Sequence, residues 1–332
     1  MQTSQCQCGN RLFFGSTKCV KCGLDVGRCE HCHEVTPVAE KQGATHCGRC
    51  QRSVRPCANR TEHQVCNLWT AADETSALCR YCRLSVVIPD LSVEGNLQRW
   101  QALEMAKRRV LSGIHDVGFP YDGPATEHLP LTFQFKADGP KPVATGHANG
   151  CITINLREAD PVERERARVA FGEPQRTLVG HFRHELGHYY WQLLVQPQRI
   201  EEFREIFGDE RNPTYEEAKD AYYRDGPRDH WKQNYISAYA SMHPWEDFAE
   251  SFGAFMDLFA ATTTAAHFGL LPQSPAEGSP FDALLKNYQR IGVVANELNR
   301  DMGLLDLVPE VFHRPIREKL KFIHSLPGTA SD

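Results

Sequence analysis

Twelve of the thirteen cysteines in this 332-residue chain fall between Cys6 and Cys82, and only Cys151 lies beyond them. That placement limits what the first quarter of the chain can become, because it has too few apolar residues to build an ordinary core. A small domain of this kind needs covalent or metal staples. The cysteines separate in order into three groups: Cys6, Cys8, Cys19 and Cys22; Cys29, Cys32, Cys47 and Cys50; and Cys57, Cys66, Cys79 and Cys82. Zinc takes four soft ligands in a tetrahedron, and two close pairs brought together across a turn supply them. In the third group Cys57 and Cys66 are nine residues apart with His63 between them, so its spacing is less diagnostic and the expectation is two to three structural zinc ions. Sequential pairing within each group is favoured over a cross-braced scheme. Cys8-Gly9 and Cys22-Gly23 place a glycine after a ligand, where a tight knuckle favours positive φ.

The N-terminus, Met1 to Cys6, has neither a basic segment nor an apolar one, so no secretory signal is expected. No stretch approaches the roughly 20 apolar residues that span a bilayer. The expected location is the cytoplasm, whose reducing conditions favour thiolate metal sites over disulfides. The net charge of -5 argues against a chain dominated by nucleic-acid binding. Lys18, Lys21, Arg49, Arg52, Arg55, Arg80 and Arg83 form a local basic set, read here as a solvated surface.

Composition shifts near residue 90, which predicts a Cys-rich zinc-ribbon module over 1–88 and a second domain over 89–332. After a linker at Val86 to Ser92, apolar residues at Leu97, Trp100, Leu103, Ala106 and Val110 give one helical stripe. Leu131 to Phe135 and Cys151 to Leu156 read as strands, the second alternating with a period of two. Helices are expected over 161–170, 175–195, 198–207, 214–223, 244–261, 281–300 and 309–324, with a loop from Pro272 to Pro280 separating the last two from the rest. A few strands followed by many helices make an α+β domain.

The chemistry lies in the second domain. His184-Glu185-Leu186-Gly187-His188 puts two histidines four residues apart, on one face of a helix and within reach of a single metal ion. Glu185, about 100° around that helix, is placed to act as general base toward metal-activated water. Val179, Phe182, Leu186 and Leu193 would pack inward on the opposite side. Catalytic zinc keeps three protein ligands and an open position. The longer motif that supplies a third histidine is absent, because Trp191 and Leu194 stand where Gly and His would be required. The third ligand is expected from a helix beginning at Pro244, on which Glu246, Glu250, Gly253 and Asp257 share one face and Phe248, Phe252, Phe255 and Phe259 the other. Glu246 is the expected ligand and His243 the runner-up. Glu250 is expected to orient a ligating histidine from behind. His181 shares the face of His184 and His188 and has a supporting or packing role. Tyr239, rather than Tyr235, is expected to hydrogen-bond the oxyanion of a tetrahedral intermediate. The competing reading of each feature is a plain one: an acidic solvated face, or tyrosines that only pack.

Several long segments resemble a bacterial family of zinc-binding metallopeptidases, in which an N-terminal zinc ribbon precedes a zincin-like domain. They are Cys57-Ala58-Asn59, Cys66 to Trp69, Cys79 to Leu84, Ile88 to Leu91, Gly180 to Trp191 and Ser237 to Glu250. The last also resembles the element of lethal-factor-type gluzincins in which a tyrosine precedes the ligand glutamate by seven residues. That resemblance implies Glu246 as ligand and Tyr239 as the assisting phenol. The expected protein is therefore a zinc metallopeptidase with one catalytic Zn2+, acting on peptide or protein substrates. The alternative is a zinc-ribbon adaptor for nucleic acid or protein, with the second domain as scaffold or acting on proteins held on nucleic acid.

Overall fold

The structure is a computed structural model, and residues 2–41, 43–171, 176–272 and 279–327 are described. The chain divides into two compact units: residues 1–111, 132–145 and 153–167 form one, and residues 112–131, 146–152 and 168–332 the other. The architecture is α+β, with small sheets followed by a mainly helical region.

The first unit begins with a hairpin of β1 (Ser4–Gln5) and β2 (Arg11–Leu12). A five-stranded sheet follows, built from β3 (Val26–Cys29), β4 (Val35–Lys41), β5 (Ala44–Cys47), β6 (Val54–Pro56) and β7 (Leu68–Ala71) in the order β5-β4-β3-β7-β6, with the short helix α1 (Ala58–Thr61) between β6 and β7. Within this sheet β3 and β7 pair in parallel, with Arg28 opposite Leu68 and Cys29 opposite Trp69. Next come β8 (Ser85–Val87) and the long helix α2 (Asn96–Val117), whose residues to Leu111 belong to this unit. β8 pairs in parallel with β9 (Thr132–Lys136), in which Phe133 and Phe135 are buried and the residues between them are partly exposed, as strand alternation requires. On the other side of β9 lies β11 (Cys151–Asn155), which enters this unit at Thr153.

On α2 the expected stripe of Trp100, Leu103, Ala106 and Val110 is buried, but Leu97 in the first turn is 37% exposed and does not belong to it. Unforeseen are Glu104, Lys107 and Arg108, all fully buried on the same helix. Lys107 Nζ lies 2.9 Å from Glu104, Ser85 Oγ donates to the same carboxylate at 2.6 Å, and Arg108 donates to the Val65 carbonyl at 2.6 Å. The charges are tolerated because each has a partner.

In the second unit, β10 (Gly146–Ala148) turns into the start of β11 through Asn149 and Gly150, at φ 47° and 78°. The helices are α3 (Pro161–Phe171, entering this unit at Arg168), α4 (Leu178–Tyr190), α5 (Ile200–Phe207), α6 (Tyr215–Asp225), α7 (Pro244–His267), α8 (Phe281–Asp301) and α9 (Arg314–His324). Helix α7 is the hub, touching α4, α5, α8 and α9. Its Phe248, Phe252, Phe255 and Phe259 are buried, as their spacing predicts. Lys319 of α9 reaches into this core, 2.6 Å from buried Asp247, and also donates to the Asn234 carbonyl at 2.7 Å. Gln175 and residues 273–278 of the expected loop lie outside the described residues.

Candidate metal centre

Helix α4 starts where Thr177 accepts a hydrogen bond from the Gly180 amide at 2.9 Å. Phe182 and Leu186 are buried, Leu193 lies just past the helix, and Val179 is only half-buried because it sits in the first turn. The expected helix to residue 195 is α-helical only to Tyr190; Trp191–Val195 form one turn of π-helix, a widening often found next to functional sites. Helix α7 starts with Pro244 in its first turn, and the His243 ring caps it by accepting from the Trp245 amide at 3.1 Å.

These two helices bring His184, His188 and Glu246 together. His184 Nε2 lies 3.1 Å from His188 Nε2 and 3.1 Å from Glu246 Oε2, and His188 Nε2 lies 3.4 Å from the same oxygen. Ligand atoms about 2.0–2.1 Å from a tetrahedral ion stand about 3.3 Å apart, so the three fit zinc. Their hydrogen-bonding state points the same way. Glu246 Oε2 is buried without a hydrogen-bond partner, and two imidazole nitrogens facing each other cannot satisfy each other and the carboxylate together.

Around this set, His184 Nδ1 donates to Glu250 Oε1 at 2.7 Å, and Glu250 Oε2 accepts from Ser237 Oγ at 2.7 Å. Burial alone would lower the His184 pKa, but Glu246 and Glu250 outweigh it and hold it well above the usual range. Burial pushes the Glu185 carboxyl up, opposed by His184 and His188, and its Oε2 has no hydrogen-bond partner. The Tyr239 ring centroid is 6.0 Å from that of His184. Tyr235 faces elsewhere: its hydroxyl accepts from Arg228 at 3.0 Å, and the Lys319 ammonium sits 4.3 Å from its ring centroid. His243 is not in the ligand group. Its Nδ1 caps α7 and its Nε2 bonds the Glu210 carbonyl at 3.0 Å, so both nitrogens are used. His181 is half-buried. On the acidic face, Asp257 pairs with Arg183 rather than joining the centre.

Four neighbours were not among the expected site residues. The Tyr215 hydroxyl of α6 donates to Glu246 Oε1 at 2.9 Å. Trp245 lies over His188 with ring centroids 4.0 Å apart. Ser237 holds Glu250. His147 on β10 packs edge-on to Tyr189 at 6.1 Å, with its pKa lowered to about 4 by burial and then by the charge of His188. Only Ser237 and Trp245 lie within a segment that the sequence singles out.

In the first unit the three cysteine groups assemble sequentially. Sγ–Sγ distances of 3.7 Å (Cys6–Cys22), 3.6 Å (Cys8–Cys19), 3.8 Å (Cys29–Cys50), 3.7 Å (Cys32–Cys47) and 3.8 Å (Cys66–Cys79) are far too long for disulfides. They match the spacing of about 3.8 Å for four thiolates about 2.3 Å from a tetrahedral zinc. Gly9 and Gly23 take the expected positive φ, but His33 and Gln51 take it after Cys32 and Cys50 without being glycine. Backbone amides point at the sulfurs, as from Cys50 to Cys47 at 3.5 Å and from Cys82 to Cys79 at 3.4 Å.

A family model described as "Putative zinc-binding metallo-peptidase" matches residues 96–326, and a zinc-ribbon domain model matches residues 3–93. Uncharacterized proteins of Mycobacterium tuberculosis and Mycobacterium bovis are each 36% identical over 328 residues, covering 96% of this chain and 93% of the relative. No solved structure matches the chain.

Proposed function

The chain belongs to this zinc-binding metallo-peptidase family, and from that premise we propose that it hydrolyses peptide bonds at the His184–His188–Glu246 centre, with Glu185 as general base. The observation that carries the reading is the meeting of three ligand atoms at 3.1 to 3.4 Å beside a buried carboxylate with an unpartnered oxygen. Zinc bound there supplies Lewis acidity, which makes water a nucleophile near neutral pH and polarises the scissile carbonyl. The rest is done by the chain. Glu185 takes a proton from the attacking water and delivers it to the departing amide nitrogen, and its raised proton affinity suits both transfers. Glu250, held by Ser237, fixes the His184 ring with Nε2 directed inward. Tyr239 donates a hydrogen bond to the oxygen of the tetrahedral intermediate.

An extended substrate would pair with a strand edge. In the strand order β10-β11-β9-β8, β11 has a neighbour on each side and offers no free edge. In this reading the edge is β10, which lies against α4. The three tetracysteine groups carry structural zinc, giving four ions with the catalytic one. We place its action in the cytoplasm, where reducing conditions favour thiolate metal sites over disulfides. Among the described residues, no helix is long and apolar enough to cross a membrane.

The test is Glu185→Gln in the full chain, assayed against a peptide library by mass spectrometry. Zinc content should stay unchanged while cleavage falls by about 10²- to 10⁴-fold. Full activity in the variant would sink the mechanism.

A further inference from the structure

Resting on the ligand assignment above, we propose that Tyr215 is a positioning residue that makes Glu246 bind zinc through one oxygen only. The two oxygens of Glu246 have different surroundings. Oε2 stands 3.1 Å and 3.4 Å from the two histidine nitrogens, whereas Oε1 accepts the Tyr215 hydroxyl at 2.9 Å. A carboxylate with both oxygens free can chelate, raising the coordination number and filling the position that water and substrate need. A phenol bonded to Oε1 draws off its electron density and holds the carboxylate plane turned, so that Oε2 alone faces the centre.

The donor is built in rather than incidental. Tyr215 is the first residue of α6, whose start is pinned where the Glu217 carboxylate accepts from the Thr214 amide at 3.0 Å and from its hydroxyl at 2.7 Å. Its ring is bracketed edge-on by His243 at 5.4 Å and Trp245 at 5.7 Å, the residues that start the helix carrying Glu246.

The experiment uses the full chain with Tyr215→Phe, which keeps the ring and removes the donor. Brief chelation should strip the histidine–carboxylate site before the tetrathiolate sites, since thiolates hold zinc more firmly. The emptied site is then titrated with Zn2+ and, separately, reloaded with Co2+ for visible spectroscopy. Tyr215→Phe should weaken zinc binding by about 10- to 100-fold. It should also lower the cobalt band intensity, as expected for a move from four to five ligands, and reduce kcat more than it changes KM. Tyr239→Phe should leave the zinc affinity and cobalt spectrum unchanged while lowering kcat. A native affinity and cobalt spectrum in Tyr215→Phe, while Glu246→Ala has lost the ion, would overturn the role of Tyr215 and leave the ligand assignment standing. Retention of the ion with a native spectrum in Glu246→Ala would overturn both. Should Tyr215→Phe fail to fold, 4-fluorophenylalanine at position 215 keeps the shape without the donor; a weaker cobalt band would support the proposal, and a cobalt spectrum identical to the native one would overturn it.

Discussion

Gly187, between Glu185 and His188 in the turn that carries the proposed ligands, illustrates how one atom decides how closely two helices approach. A Cβ there would stand 2.7 Å from the Ala249 Cα and 3.1 Å from its carbonyl oxygen, so α4 and α7 approach this closely only because the side chain is hydrogen. The obstacle is backbone, which cannot swing aside. Gly187→Ala should therefore cost about 1–3 kcal/mol of stability in denaturant unfolding. It should also lower zinc retention, because the helices that separate carry His184 and His188 on one side and Glu246 on the other. A variant with native stability and full zinc would show that the approach is not needed. That His184 and His188 share a face was legible from spacing alone, through the helical period. Tyr215 was not: it lies 31 residues from Glu246 on another helix, and no local period connects them.

At the scale of elements, the amphipathic patterns predicted helix positions well, because burial follows the 3.6-residue period. They failed where a polar residue is buried with its partner. On α2, Glu104, Lys107 and Arg108 would be assigned to solvent by type, yet all are buried among Ser85, Val65 and one another. Replacing one member strands the rest, so Lys107→Met should destabilise the chain by about 3–5 kcal/mol. The triple variant Glu104→Leu/Lys107→Met/Arg108→Met, which leaves no buried charge behind, should recover most of that loss in the same unfolding measurement. If the single variant is neutral, the cluster is not held by pairing. Strand edges were also illegible, since the alternation of Cys151 to Leu156 shows that it is a strand but not how many neighbours it has.

For the whole molecule, the two kinds of metal site proposed above imply two kinds of response to metal removal. A hard-nitrogen chelator should take one ion per chain first, abolishing cleavage while the far-ultraviolet circular dichroism changes little. A thiol-reactive mercurial should then release three more and unfold the Cys-rich segment, as expected of a small fold stapled by metal. Elemental analysis giving four zinc ions, lost as one and then three, is the expected result; loss of all four together would contradict it. By itself the sequence determined the grouping of the cysteines and the helix that presents two histidines on one face, because neighbours along a chain are related by fixed backbone periods. Only the tertiary structure decided that His243 caps a helix instead of facing the centre, that β11 is interior, and that Tyr215 reaches Glu246. Those outcomes depend on how elements distant in sequence pack, and no local spacing encodes that.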